Sequence, residues 1–451
     1  DIMLPKVATK KQRKAYKYAM RRPYSILAMD QRLGKSMVGI AIQQSTKMNC
    51  LVICPGYLVT NWNKEIKKWG KPGTIITMFR RGKQIYEPVD TDFVVISYDL
   101  VQKAAHLFEW ADMVLLDEVH HLKSMSAKRT QFIHKEIFEN SIKRVHALSG
   151  TILKNRVKEF YSPIALMHYD PNQEAVGGQK DFGGFVVKQA QAPKPPGFLD
   201  RFTDEIEFAD HFSFREEFQV KVQPKNGAAY YMKRARWTGL RRVDELKKIL
   251  KGKYLRVKAS RKDLPPISFK KVLISDSPNQ ALLDAFETHF SGDGADSVRP
   301  DIKVEAAMKK VPFTISYVED LLTSAECVLV YSDHVAPIEA IATHFGVTPI
   351  TGKLSNKKRA KIADDFQAGR GPPVLCATIG ALKEGKDLYR AKDLVLNDPA
   401  WVTGDLKQMS DRMRALGQKD PRTVHVIFGS PQDEKIWNAL KEKQKVIDAA
   451  T

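Results

Sequence analysis

Twice along these 451 residues, short β-branched runs alternate with amphipathic stretches of helical length. In the first 165 residues the apolar runs are SILAM, CLVICP, TIITMF, DFVVISY, MVLLDE and RVHALSG. Helical periodicity lies near 36–47, 57–69 and 126–140. A second series follows, in FKKVLIS, CVLVYSD, VTPITG, PPVLCAT, DLVLND and TVHVIFG. Runs that are apolar throughout belong to strands covered on both faces, and strands alternating with helices build parallel sheets. The length is past the point where one core divides. Two α/β lobes are expected, 1–165 and 263–451, the second carrying a helical insertion at about 279–325 and a closing helix at 432–448.

Between the lobes, 166–262 reads as an insertion and junction. Residues 170–202 are rich in Gly, Pro and Gln, the composition of loop or irregular hairpin. Residues 221–262 hold fifteen Lys or Arg against two acids, with Tyr230, Tyr231, Trp237 and Tyr254 interleaved. A charge run is usually a solvated helical face, but with so few acids a nucleic-acid track is the better account. The whole chain has 73 Lys and Arg against 52 Asp and Glu, a formal +21. That surplus favours a polyanionic partner, because each phosphate neutralised releases counterions. Cys50, Cys54, Cys327 and Cys376 sit in or beside apolar runs and have no zinc-ligand spacing, which suits a reducing cytoplasm. No apolar run approaches 18 residues, and the basic, polar start has no signal-peptide core. The start at Asp1 suggests trimming.

The local chemistry begins at SILAMDQRLGKSMVGIAI. A strand runs into a tight turn, Arg32-Leu33-Gly34, then Lys35-Ser36 and a helix. Backbone amides at a helix N-terminus bind phosphate, and Gly34 lets the chain approach it closely. Lys35 would meet the β- and γ-phosphates of ATP, and the Ser36 hydroxyl would hold magnesium. The consensus phosphate loop has a further glycine where this chain has Met29. The second piece is MVLLDEVHHLKS, where a buried strand ends in Asp117 and Glu118. Asp117 is placed to hold magnesium through its water shell, and Glu118 to orient and deprotonate an attacking water. Adjacent carboxylates can instead cap a following helix. Their place after four apolar residues, about 80 residues beyond Lys35, favours the catalytic account.

Together with this pair, LVICPGYLVTNWNKEIKKW (51–69), FVVISYDLV (93–101), LSGTILKNRVKEFYSPI (148–164), ELKKILKGKYLRVKASRKDLPP (245–266), ITGKLSNKKRAKIADDF (350–366), TIGALKEGKDL (378–388) and NDPAW…QMSDRMRALGQ (397–418) stand in the order of the helicase motifs. The chain resembles the Swi/Snf-like superfamily-two helicases over most of its length, least in 166–244. It is most similar to their compact branch, which includes fork-remodelling annealing helicases and a bacteriophage branch-migration helicase. The resemblance implies two RecA-like lobes, with ATP and Mg²⁺ as cofactors and DNA as partner. It implies that Gln12 reads adenine and that Ser149, Gly150 and Thr151 couple nucleotide state to lobe movement. Gly385, Asp387 and Arg412 would complete the ATP site from the second lobe. Pro55, Asn61, Trp62, Ser97, Tyr98, Ser332 and Thr378 would face DNA. One position departs from the family: Ala415 stands where the second arginine of the last motif belongs, with Arg414 one residue earlier. Either Arg414 takes the role or Arg412 serves alone.

The activity expected is an ATP-driven, monomeric motor that remodels branched DNA by fork regression, branch migration and unwinding. A double-stranded translocase that displaces proteins without separating strands is the alternative. An ATP-gated DNA clamp with feeble hydrolysis is a distant third.

Overall fold

The computed structural model describes residues 4–80, 82–88, 90–150, 157–168, 179–181, 186–188, 201–202, 204–222, 230–260, 263–274, 300–381, 388–398, 403–415, 417–429 and most of 433–445. They form two compact units. The first comprises Asp1–Arg215, Trp237–Ala259 and Ile447–Thr451; the second comprises Glu216–Arg236 and Ser260–Val446.

In the first unit the apolar runs become β1 (Tyr24–Met29), β2 (Cys50–Cys54), β3 (Ile76–Met78), β4 (Phe93–Ser97), β5 (Met113–Asp117) and β6 (Arg144–Ser149). Every residue of β1, β2, β4 and β5 is buried, as continuous apolar runs require. Helices α1 (Lys10–Met20), α2 (Lys35–Thr46) and α3 (Val59–Trp69) contribute to one core with these strands, through Tyr16, Val38, Ile42, Trp62 and Ile66. Two short pairs follow in the chain: β7 (Gln179–Asp181) with β8 (Val186–Lys188), and β9 (Phe214–Val222) with β10 (Tyr230–Thr238). Strand β11 (Tyr254–Val257) then returns to the first sheet beside β1. The completed order is β11-β1-β6-β5-β2-β4-β3, all parallel. This order sets the ends of β1, β6 and β5 side by side, with Ala28 opposite Ser149 and Asp117 opposite Leu148.

The second unit holds β12 (Ile267–Leu273), β13 (Val328–Ser332), β14 (Val374–Thr378), β15 (Asp393–Leu396) and β16 (Arg422–Phe428). Their order is β12-β16-β15-β13-β14, again parallel. One core lies on each face, the first around Leu329, Tyr331 and Met413, the second around Val330, Ile341 and Ile427.

The expected two-lobed α/β architecture is therefore present, with local corrections. VTPITG is not a strand; it contributes only an isolated bridge, Ile350 to Ala377. TIITMF shortens to three paired residues at the sheet edge, where only one neighbour is available. The described residues of the basic segment 221–262 form strand, helix (Val243–Leu250) and strand. Its last strand completes the first sheet, which a short basic stretch, YLRV, does not announce. Of the expected helical insertion, Pro300–Leu322 is a helix, and 275–299 lies outside the described residues. Every described residue from 433 to 445 is helical. Among the described residues no helix is long and apolar enough to cross a membrane.

Candidate nucleotide site

Strand β1 stops at Met29, and the next five residues turn the chain into α2 with Arg32 at φ 68° and Gly34 at φ 76°. Both angles are left-handed, and at Gly34 a Cβ would also lie 2.3 Å from Gln12 Nε2. Only glycine fits there. No side chain caps α2, so the amides of its first turn are open to an anion, with the helix dipole behind them. The Lys35 ammonium folds back toward the Met29 carbonyl at 3.5 Å. Gln12 is buried in a capping box with Thr9: its Oε1 accepts from Thr9 N–H at 2.8 Å, and its Nε2 donates to the Leu33 carbonyl at 3.0 Å. Asp30 opens the turn, held by Arg256 Nη2 at 2.6 Å and by Ala259 N–H at 2.7 Å. Those two partners belong to β11 and the residues after it, so nothing near the turn in sequence marks them.

Asp117 closes β5, two strands away from β1. Its Oδ2 accepts from Trp62 Nε1 at 2.8 Å and its Oδ1 from the Glu118 N–H at 3.0 Å. Burial, then the charge of Glu118, push the Asp117 carboxyl up to about 6; Lys35 and the indole N–H pull the other way. Glu118 takes a left-handed φ of 51°, a costly conformation for a residue with a Cβ. Its Oε2 accepts from the Ser149 hydroxyl at 3.2 Å and lies 3.2 Å from His120 Nδ1. Gly150 completes the group, since a Cβ there would stand 2.9 Å from Gln31 Cγ and 3.4 Å from Lys35 Nζ. The fold thus gathers Gln12, Lys35, Asp117, Glu118, Ser149 and Gly150. The combination of open helix amides, an ammonium, a hydroxyl and two carboxylates fits a nucleoside triphosphate with a hard divalent cation. Thr151 lies outside the described residues.

The residues expected at DNA divide. Pro55 and Ser97 follow or end β2 and β4, where Cys54 pairs with Ser97, and Asn61 is exposed on α3. Trp62 and Tyr98 are each 1% exposed and cannot lay their rings on DNA, which corrects the expectation. Trp62 spends its one donor on Asp117, and the Tyr98 hydroxyl donates to the Asp117 carbonyl at 3.0 Å. In the second unit Ser332 and Thr378 face each other at the ends of β13 and β14. Ser332 is fully buried, its hydroxyl donating to Asp398, so it too is corrected from a direct contact to an internal one.

Arg412, also in the second unit, is buried after helix Thr403–Asp411, and its carbonyl accepts from Leu388 N–H at 3.1 Å. Arg414 pairs with the buried carboxylate of Asp411 and donates to the Pro265 carbonyl at 3.3 Å. The Ala415 N–H donates to Gln418 Oε1 at 2.9 Å. Gly385 and Asp387 lie outside the described residues.

Residues 11–186 match the SNF2-related domain, and residues 314–416 match the helicase conserved C-terminal domain. The chain is 23% identical to the Xenopus tropicalis SWI/SNF-related matrix-associated actin-dependent regulator of chromatin subfamily A-like protein 1, over 94% of this chain and 43% of that protein. It is 22% identical to the mouse DNA annealing helicase and endonuclease ZRANB3, over 99% of this chain and 41% of that protein. The chain therefore spans less than half the length of these relatives. A solved Sulfolobus solfataricus SWI2/SNF2 ATPase core in complex with dsDNA is 20% identical, covers 98% of this chain and 93% of that one, and superposes with a TM-score of 0.41. The two domain matches, in tandem and over more than half of the sequence, stand on two parallel α/β units with a phosphate loop beside an Asp-Glu strand end, and the chain belongs to the Swi/Snf-like superfamily-two helicases.

Proposed function

We propose that this chain is a DNA-dependent ATPase that moves along DNA and remodels branched structures by fork regression, branch migration and unwinding. The observation that carries the reading is the cluster in the first unit, where Lys35 and the uncapped start of α2, after β1, stand with Asp117 and Glu118 at the end of β5, with the end of β6 between them. Lys35, with the amides around Gly34, neutralises the phosphates. Ser36 and Asp117 would hold Mg²⁺, which supplies charge stabilisation to the phosphoryl group when bound. Glu118, fixed by Ser149 and His120, is the base that takes a proton from the attacking water. Gln12 reads the base beside Leu33, and Arg412 is proposed as the arginine the second unit contributes, since the Arg414 guanidinium is paired with Asp411. The formal charge of +21 supports a nucleic-acid partner, and exposed Asn61 is the proposed side-chain contact, with Pro55, Ser97 and Thr378, buried at their strand ends, proposed to meet DNA through the chain there. Hydrolysis changes the affinity of the chain for DNA, and the difference between those states drives directed motion. The branched-DNA assignment draws on the annealing helicase among the relatives. We place the protein in the cytoplasm, acting as a monomer.

The test is ATP hydrolysis without DNA and with single strand, duplex, fork and four-way junction, run beside strand displacement. Strongest stimulation by fork or junction, with displacement, is expected. Stimulation by plain duplex without displacement would instead make this a translocase that clears bound proteins, and negligible turnover on every DNA would leave a clamp.

A further inference from the structure

Trp62 and Tyr98 belong to different segments, one on α3 after β2 and the other just after β4, yet both end on Asp117. Trp62 holds the carboxylate by Oδ2, and Tyr98 holds the carbonyl of the same residue. The remaining carboxylate oxygen accepts from the Glu118 N–H, so Asp117 is held on three sides within the buried interior. Each holder is the immediate chain neighbour of a proposed DNA contact: Asn61 precedes Trp62, and Ser97 precedes Tyr98. The two segments are also tied to each other, because the Tyr98 N–H donates to the Cys54 carbonyl at 3.0 Å, one residue before Pro55. On its far side the Tyr98 ring stacks on His121 with centroids 5.4 Å apart, and the His121 N–H donates to the Glu118 carbonyl at 3.0 Å.

We infer that Trp62 and Tyr98 are positioning residues through which DNA contact at Pro55–Asn61 and Ser97 sets Asp117, so that these two hydrogen bonds carry DNA stimulation of ATP hydrolysis. The inference rests on the reading that DNA binds at the ends of β2 and β4. Packed interiors pass on small displacements because their side chains have few alternative arrangements. A shift of either segment therefore reaches the metal-holding carboxylate through one bond, without a change in the phosphate loop. Neither side chain touches DNA or nucleotide in this account. Their effect lies in where Asp117 points.

Trp62→Phe keeps the ring and removes the N–H; Tyr98→Phe removes one hydroxyl. For wild type and each variant, duplex affinity without nucleotide, thermal midpoint, basal and DNA-saturated kcat, KM for ATP and the half-saturating Mg²⁺ concentration are to be measured. Duplex affinity and KM should hold. The ratio of DNA-saturated to basal kcat should fall about tenfold or more in Trp62→Phe, with a raised Mg²⁺ requirement, as when a residue supporting a metal ligand is lost. Tyr98→Phe should move the same ratio in the same direction. A purely structural role lowers the thermal midpoint and leaves the ratio and the Mg²⁺ requirement alone, and that result overturns the inference. Should Trp62→Phe fail to fold, Tyr98→Phe decides alone. A wild type that no DNA stimulates would remove the functional reading, and this inference with it.

Discussion

At the scale of single residues, the turn proposed to bind phosphate is specified by two demands that few side chains meet. Gly34 must be left-handed and must leave room for Gln12. Lys35 must present an ammonium close to Gly150. Lys35→Ala is expected to abolish turnover, a loss of about a thousandfold or more in kcat/KM given the charge that phosphoryl transfer must neutralise. A variant with unchanged DNA-stimulated hydrolysis would sink the site assignment. The two arginines of the last motif separate in the same way. Arg414 is committed to Asp411 and the Pro265 carbonyl, so Arg414→Ala should act mainly on stability. Arg412→Ala should lower kcat at unchanged DNA affinity. A larger kcat loss in Arg414→Ala, with its folding intact, would reverse that order.

At the scale of elements, the first unit depends on pieces that pack far from where they lie in the chain. Strand β11 brings Arg256 to Asp30 at the mouth of the turn, with both side chains largely buried. Arg256→Ala leaves that carboxylate without its cation and should cost about 3 kcal/mol of stability, read as a shifted denaturation midpoint. Two buried histidines add a pH dependence. His134, on helix Lys128–Glu139, shares a hydrogen bond with the Ser162 hydroxyl, and His146, on β6, shares one with Ser25. Burial pushes each down to about 3. Both rings are therefore neutral in the folded chain, while unfolded they bind a proton near pH 6.5. Their stabilising contribution is complete above about pH 6.5 and is lost as pH falls toward 3, up to roughly 5 kcal/mol for each. His134→Gln should flatten the fall of stability between pH 6.5 and 4; an unchanged pH profile would refute the neutral-histidine account.

At the scale of the whole molecule, the formal +21 predicts that DNA binding weakens linearly in log–log coordinates as salt rises. The slope should be about −0.9 for each phosphate contacted, measured by titration on duplexes of unrelated sequence, and a salt-independent affinity would contradict a backbone-tracking motor. The strand runs, the Gly34-Lys35-Ser36 turn and the Asp117-Glu118 strand end were legible in the sequence because each is a local pattern. Continuous apolar runs report burial on both faces, and a phosphate loop is built from neighbours in the chain. The sequence by itself thus determined the α/β class and the local turn and strand end on which the proposed nucleotide chemistry rests. Tertiary structure alone decided the rest. From sequence Trp62 and Tyr98 read as DNA contacts, and only the fold, which carries α3 and the residue after β4 to the end of β5, turns them onto Asp117. Arg256 is one base among fifteen in its segment until β11 pairs with β1. Ser332 reads as a polar strand end until Asp398 accepts its hydroxyl in the interior. In each case the deciding partner lies between 19 and 226 residues away, and whether a polar side chain meets solvent or a buried partner is settled by which distant backbone packs over it.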